Sequence, residues 1–284
     1  MRCLKKEGIR LKRVGFIGTG SMGKIIIESF IESHAVTPSN VTITNRSLHK
    51  AKEVASKYEG VSVVEDAKAV IEQSDWVFLC VKPLQMIPLL KEVHHFLTKK
   101  HVLISITSPI LVEELEEIVD AQAVRFIPSI VNRALDGPSL VTFGQTVTDD
   151  SKDELLAFFN KISRPEIIGD NITRVASDLG CCGPAFLSFL LEKMIQGAVE
   201  ETNITKDEAV NITEAMIIGY GELLRQKHFS LETLRERVTV PGGVTGVGLD
   251  VLREDIEAQK VFNRLFEKTH EKYDEDRKHI KDQL

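Results

Sequence analysis

Residues 14–23 read VGFIGTGSMG, a short apolar run that ends in three glycines spaced G-x-G-x-x-G. A strand, a tight turn and then a helix with Ile26, Phe30 and Ile31 on one face is the opening of a dinucleotide-binding βαβ unit. In that pattern Gly18 allows the tight turn, Gly20 lets the backbone approach a pyrophosphate, and Gly23 lets the helix pack against its strand. The N–H groups that open the helix face the anion. The loop residues Gly18, Thr19, Gly20, Ser21, Met22 and Gly23 are therefore the first expected cofactor contacts. A glycine turn with no binding role is the competing reading, and the strand before and helix after weigh against it.

The rest of the first half repeats the alternation. Val41-Thr42-Ile43-Thr44 predicts a second strand, 61–64 a third, and Trp76-Val77-Phe78-Leu79-Cys80-Val81 a fourth whose continuous apolarity implies burial on both faces. Leu48, Ala51, Val54, Ala55 and Tyr58 recur at helical spacing, as do Leu84, Ile87, Leu90 and Leu97. Strands are expected again at 102–106, 123–127 and 140–143, and Ser151 with Glu154 predicts a capping box before a face of Leu155, Phe159 and Ile162. This is an α/β pattern, a Rossmann-type doubly wound parallel sheet over 13–168.

Beyond 169 strand signals vanish, and 169–284 is expected to be all-helical. A helix over 183–203 is apolar nearly all round, through Phe186, Leu187, Phe189, Leu190, Leu191, Met194, Ile195, Ala198 and Val199. Such a helix needs cover on every side, and a second subunit is the expected cover. Thr205 with Glu208 predicts a capping box ahead of a buried face of Ala209, Ile212, Met216, Tyr220 and Leu223, and Ser230 starts a shorter helix. The last stretch has mixed charge and sparse anchors (Ile256, Phe262, Leu265, Phe266, Tyr273, Ile280), the pattern of an exposed edge helix.

With 284 residues, 43% apolar and 27% charged, the chain reads as a soluble globular protein, and a net charge of −6 argues against a nucleic-acid surface. Arg2, Lys5, Lys6, Arg10, Lys12 and Arg13 crowd the start without an apolar region after them, so 1–12 reads as a frayed extension, not a secretory signal. Cys3, Cys80, Cys181 and Cys182 show no metal-ligand spacing and no disulfide framework. Reduced thiols in a cytoplasm are expected. Glu192 and Lys193 interrupt the longest apolar run, so no membrane span is expected.

The end of the second strand should tell which dinucleotide binds. A carboxylate there holds the ribose 2′-OH of NAD and repels a 2′-phosphate. This chain has Asn45-Arg46-Ser47, which suits a phosphate and points to NADP(H), with helix capping as the alternative use of Asn45 and Ser47. Val81-Lys82-Pro83 leaves the fourth strand at the ligand-binding edge. In the helical half, Val240-Pro241-Gly242-Gly243 can present successive N–H groups to a carboxylate, although an interhelical turn explains it as well. The Gly180-Cys181-Cys182-Gly183-Pro184-Ala185 turn is read as small residues at a packed junction.

Together these motifs resemble the pyrroline-5-carboxylate reductase family over nearly the whole chain after residue 12. The glycine loop, the N-R-S segment, the V-K-P segment, the G-P-A-[YF] helix start (Gly183-Pro184-Ala185-Phe186) and the V-T-S-P-G-G-T-T loop (238–245 here) fall in the family's order. The resemblance implies an NADPH-binding Rossmann domain and a helical domain that interlocks with its twin. It also implies dimers that can build decamers, and a substrate site between the domains closed by the partner's Pro-Gly-Gly loop. It further implies reduction of the cyclic C=N bond of pyrroline-5-carboxylate to proline. The Thr245 hydroxyl would lie near the imine nitrogen, and Gly242, Gly243, Val244 and Thr245 would bind the carboxylate. An imine can arrive already protonated, so no strong general acid is required. The family's A-A-G-I after the fifth strand corresponds to Thr107-Ser108-Pro109-Ile110, which makes Thr107 a further cofactor contact.

The sequence departs from the family where substrate would lie. S-P-G-G-T-T is Val240-Pro241-Gly242-Gly243-Val244-Thr245, S-G-S-G-P-A is 180–185, and M-P-N-T-P is Ile127-Pro128-Ser129-Ile130-Val131. This is similar to a divergent, late-competence (ComER-like) branch of the family. Two alternatives follow: a catalytically weak NADP(H)-binding regulator linked to competence or sporulation, and a small hydroxy-acid dehydrogenase using Lys193 for proton transfer.

Overall fold

The computed structural model describes residues 12–255 and 257–284. Cys3, Ile256 and the basic residues before Lys12 lie outside them. The chain begins β1 (Val14–Ile17), α1 (Ser21–Glu32), β2 (Val41–Thr44), α2 (Leu48–Ala55), β3 (Ser62–Val63) and α3 (Ala67–Glu72). It continues with β4 (Trp76–Leu79), α4 (Pro83–Val93), β5 (Val102–Ser105), α5 (Val112–Glu116) and β6 (Gln122–Ile127), then β7 (Pro138–Phe143), α6 (Asp149–Phe159) and β8 (Arg164–Ile167). The eight strands form one sheet in the order β3-β2-β1-β4-β5-β6-β7-β8. All neighbours are parallel except β6 and β7, which pair antiparallel. The order reverses between β1 and β4, which makes that junction the topological switch point.

The apolar runs become strands because both faces of the sheet are covered. Phe16 and Phe78 point to one face, where Phe30–Phe158 and Phe126–Phe159 stack at centroid distances of 4.1 and 4.3 Å. Val77 and Leu79 point to the other, against Met86, Ile87 and Leu90 of α4. Ile17 pairs level with Thr44 and with Leu79, so β1, β2 and β4 release their following loops at one edge.

The start of α6 differs from expectation. Thr148, not Ser151, is the N-cap, and its hydroxyl accepts from Ser151 N at 3.2 Å. Asp149 and Asp150 then occupy the first turn, where the helix dipole favours carboxylates.

After β8 come α7 (Thr173–Ser177), a π-helical turn at Asp178–Cys182, α8 (Gly183–Glu201), α9 (Lys206–Arg225), α10 (Leu231–Val238), α11 (Val244–Asp255) and α12 (Ala258–Lys281). The sheet ends at Ile167, whereas the compact unit built on it runs on to Gly183 and takes in Thr269–Leu284. Pro184–Lys268 form a second unit. As expected, α12 is largely exposed and held by sparse anchors, of which Ile280 is wholly buried in the cluster that covers α4 and α5.

In the second unit the capping box at Thr205 and Glu208 is formed, with Thr205 N donating to Glu208 Oε2 at 2.9 Å. The expected buried face of α9 is only partly buried in the single chain. Ala209 and Thr213 are covered, but Ile212 and Met216 are exposed. No described residue of α8 is buried, and Leu187, Phe189, Leu190 and Met194 are each about half exposed. Within the helical stretch Asp170–Glu201 one 18-residue window reaches a mean hydropathy of 1.3, long and apolar enough by length and composition alone to cross a membrane, although the stretch carries Asp178, Glu192 and Lys193. Its apolar residues reach back through Cys182, Cys181 and Leu179 instead of stopping at the turn.

Candidate cofactor site and helical turn

The glycine loop is fixed by contacts that leave no room for side chains at two of its three glycines. Gly18 has φ +107°, and a Cβ there would sit 2.4 Å from the Cys80 carbonyl oxygen. A Cβ on Gly23 would meet the Gly18 carbonyl at 2.5 Å. Gly20 is different: nothing lies within 4 Å of its Cβ position, so that side is open to an approaching group. Gly18 N donates to Thr44 O at 2.9 Å and Thr19 N to Asn45 Oδ1 at 3.1 Å, which stitches the loop to the end of β2. The Thr19 hydroxyl is buried with no hydrogen-bond partner among the described residues. A buried orphan hydroxyl, an open glycine and the amides that start α1 suit the pyrophosphate of a dinucleotide. Ser21 is exposed and Met22 half-buried at the head of α1.

At the end of β2, Asn45 uses both ends of its amide, since Nδ2 donates to Ser47 O at 3.1 Å. Ser47 occupies the N-cap position of α2, but its side chain makes no capping bond. Capping therefore does not account for the Asn-Arg-Ser segment. Arg46 is exposed and has no ion pair among the described residues, so its guanidinium is available to an anion. Lys82 is exposed at the N-cap of α4 and Pro83 takes its first position, a place that needs no N–H. Val81 is half-buried, and Thr107, just past β5, is 8% exposed with its hydroxyl 3.2 Å from Ser105 Oγ. The ends of β1, β2, β4 and β5 bring all four segments to one edge of the sheet.

One residue that the motifs do not single out organises this region. Arg125 on β6 is fully buried and donates to the carbonyls of Ser108 and Ile110, to Thr142 Oγ1, to Thr173 Oγ1 and to the Asp170 carboxylate. A guanidinium inside an apolar strand, Ala123-Val124-Arg125-Phe126-Ile127, was the signal for it. Nearby, Arg174 pairs with the buried Asp178 at 2.7 Å where the helix widens into the π turn. Cys181 lies in that turn, and burial pushes its thiol up to about 12, so it is protonated at neutral pH. Cys80, Cys181 and Cys182 are free thiols. No group of His, Cys, Asp and Glu suited to a metal occurs among the described residues.

In the helical unit, Gly242 adopts φ +72° and α11 starts at Val244, so the Pro-Gly-Gly turn does lead into a helix N-terminus. The Gly243 amide, expected on a carboxylate, instead donates to Val240 O at 3.0 Å, because the turn closes on itself. The amides of Val244 and Thr245 open the helix, where no intrahelical acceptor exists for them. Val244 is 89% exposed and Thr245 half-buried. Lys193, the candidate proton-transfer group of the dehydrogenase alternative, donates to Gln196 one turn along α8 at 3.0 Å.

Comparison with known proteins extends this reading. Residues 13–109 match the family described as NADP oxidoreductase, coenzyme F420-dependent. Residues 170–276 match the pyrroline-5-carboxylate reductase dimerisation family. ComE operon protein 4 of Bacillus subtilis is 46% identical over 272 residues, covering 96% of this chain and 99% of that protein. Pyrroline-5-carboxylate reductase 3 of the same organism is 27% identical over 265 residues, covering 93% and 96%. A crystal structure of Plasmodium falciparum pyrroline carboxylate reductase with NADP bound shares the fold, with a TM-score of 0.78 at 20% identity over 94% of this chain and 98% of that one. Fold, glycine loop and matched domains define a Rossmann-type oxidoreductase of the NADP-dependent class with a helical second domain. The chain belongs to the pyrroline-5-carboxylate reductase family. The expected ComER-like branch is met by its 46% identity to ComE operon protein 4.

Proposed function

We propose that this chain uses NADPH to reduce the cyclic imine of pyrroline-5-carboxylate or a closely related imine. The observation that carries this reading is the glycine loop, with its orphan Thr19 hydroxyl and open face at Gly20, beside an unpaired Arg46. Bound NADPH supplies the hydride that reduces the imine carbon. The amides at the head of α1 hold the pyrophosphate, and Arg46 holds the 2′-phosphate in place of the carboxylate that would select NAD. Val81, Lys82, Pro83 and Thr107 line the edge of the sheet beyond them. On the substrate, the Val244 and Thr245 amides at the start of α11 hold the carboxylate. The Thr245 hydroxyl accepts from the protonated imine nitrogen. The working form is a homodimer covered along α8 and α9, in a reducing cytoplasm that keeps Cys80, Cys181 and Cys182 as thiols.

The test mixes purified protein with NADPH and pyrroline-5-carboxylate at neutral pH and follows nicotinamide absorbance. Arg46→Ala should weaken NADPH about tenfold while leaving NADH binding nearly unchanged. Thr245→Ala should cut turnover and leave NADPH affinity intact, and an unchanged rate would remove Thr245 from the mechanism. One observation favours a second reading, a cofactor-binding regulator. Valines stand at 240 and 244, both exposed, where the family pattern has hydroxyls. Tight NADPH binding without turnover of any cyclic imine would select it.

A further inference from the structure

The loop after β5 is held by three consecutive carbonyls. Ser108 O accepts from the Tyr273 hydroxyl at 3.3 Å and from Arg125 at 3.4 Å, Pro109 O from Arg277 Nη1 at 2.8 Å, and Ile110 O from Arg125 at 3.3 Å. The same Arg277 nitrogen meets Glu114 Oε2 at 2.6 Å, and that carboxylate accepts from Leu111 N at 2.8 Å. Tyr273 and Arg277 lie one turn apart on α12, in line with the buried Ile280. Anchoring the end of α12 does not require these loop contacts. Ile280 in the core and Lys91, which donates to the carbonyls of Gln283 and Leu284 at 2.6 and 3.1 Å, already do that.

The sheet order says what the loop serves. β2, whose end carries Arg46 for the adenosine side, lies on one flank of β1, and β4 and then β5 lie on the other. The loop after β5 therefore belongs to the nicotinamide side of a dinucleotide laid across the switch point. We propose that Tyr273 and Arg277 are positioning residues for the nicotinamide half of the cofactor, fixing the Ser108 and Pro109 carbonyls so that Thr107 and its loop present a preformed wall. This rests on the cofactor reading above. The energy gained is that of preorganisation, since the loop need not be ordered when the cofactor arrives.

The experiment titrates the full chain with NADPH and, separately, with adenosine 2′,5′-bisphosphate, which carries the adenosine half and its 2′-phosphate but no nicotinamide. Arg277→Met should weaken NADPH about tenfold, Arg277→Lys should restore most of that, and Tyr273→Phe should weaken it about threefold. All three should bind the bisphosphate as wild type does. NADPH affinity unmoved in the variants would overturn the proposal, and so would equal losses for both ligands, which mark general destabilisation. If Arg277→Met fails to fold, Tyr273→Phe, which removes one hydroxyl, decides the matter. A wild-type chain that binds neither ligand overturns the cofactor reading itself, and this proposal with it.

Discussion

Gly18 and Gly20 stand two residues apart in one motif and do different physical jobs. Gly18 is required by the fold, since its φ of +107° and a carbonyl 2.4 Å from any Cβ exclude a side chain. Gly20 has an ordinary φ of −68° and open space around it, so only a ligand would object to a methyl group. Gly18→Ala should therefore lower unfolding free energy by about 2 kcal/mol or more, read from a denaturant midpoint. Gly20→Ala should melt as wild type does and lose NADPH affinity about tenfold. At this scale the cofactor half of the site was legible because the glycine spacing encodes backbone geometry directly. Arg125 was not, because a lone charge in an apolar strand announces a buried network without naming partners that lie far along the chain, at Ser108, Thr142, Asp170 and Thr173.

Among the elements, strands buried on both faces were readable from continuous apolar runs such as Trp76–Leu79. Short helices were not, and α3 and α5 have too few turns to show a period. The cap of α6 falls at Thr148 and not at Ser151 for a definite reason. Ser151 and Glu154 satisfy the capping-box spacing, but Thr148 with two acidic residues after it satisfies the helix end better. Thr148→Ala should cost about 1 kcal/mol of stability, while Ser151→Ala should stay within about half of that, both measured by chemical denaturation. In α12 the sparse anchors Tyr273 and Ile280 were readable, whereas Arg277 on the same narrow stripe was not, since one arginine does not stand out in a strongly charged sequence.

For the whole molecule, the two units differ in how far a single chain can complete them. The sheet unit closes a core on both faces. The helical unit leaves Ile218 74% exposed, Ile212 63% and Phe189 57%, and buries few residues such as Ala209, Thr213 and Leu234. That amount of open apolar surface is unusual for a protein that stays alone in water. The chain should sediment as a dimer or larger at micromolar concentration, and Leu190→Glu with Ile218→Glu should shift it towards monomer. A wild-type monomer would count against dimerisation through α8 and α9. All-round apolarity of α8 made this much readable from sequence, whereas the altered side chains around Val240 and Val244 keep the substrate itself out of reach of pattern alone.

Cys80 sits where the two halves of the sheet meet, at the end of β4, with Gly18 pressed against its carbonyl. Burial pushes its thiol well above the usual range, so in the closed protein it is neither exposed nor ionised. A thiol reagent can reach it only when the glycine loop and the head of α1 lift from the crevice at the ends of β1 and β4. At reagent concentrations where labelling outpaces reclosing, the rate at which Cys80 becomes labelled counts those openings one by one, and a ligand lying across the crevice would slow the count without touching the sulfur.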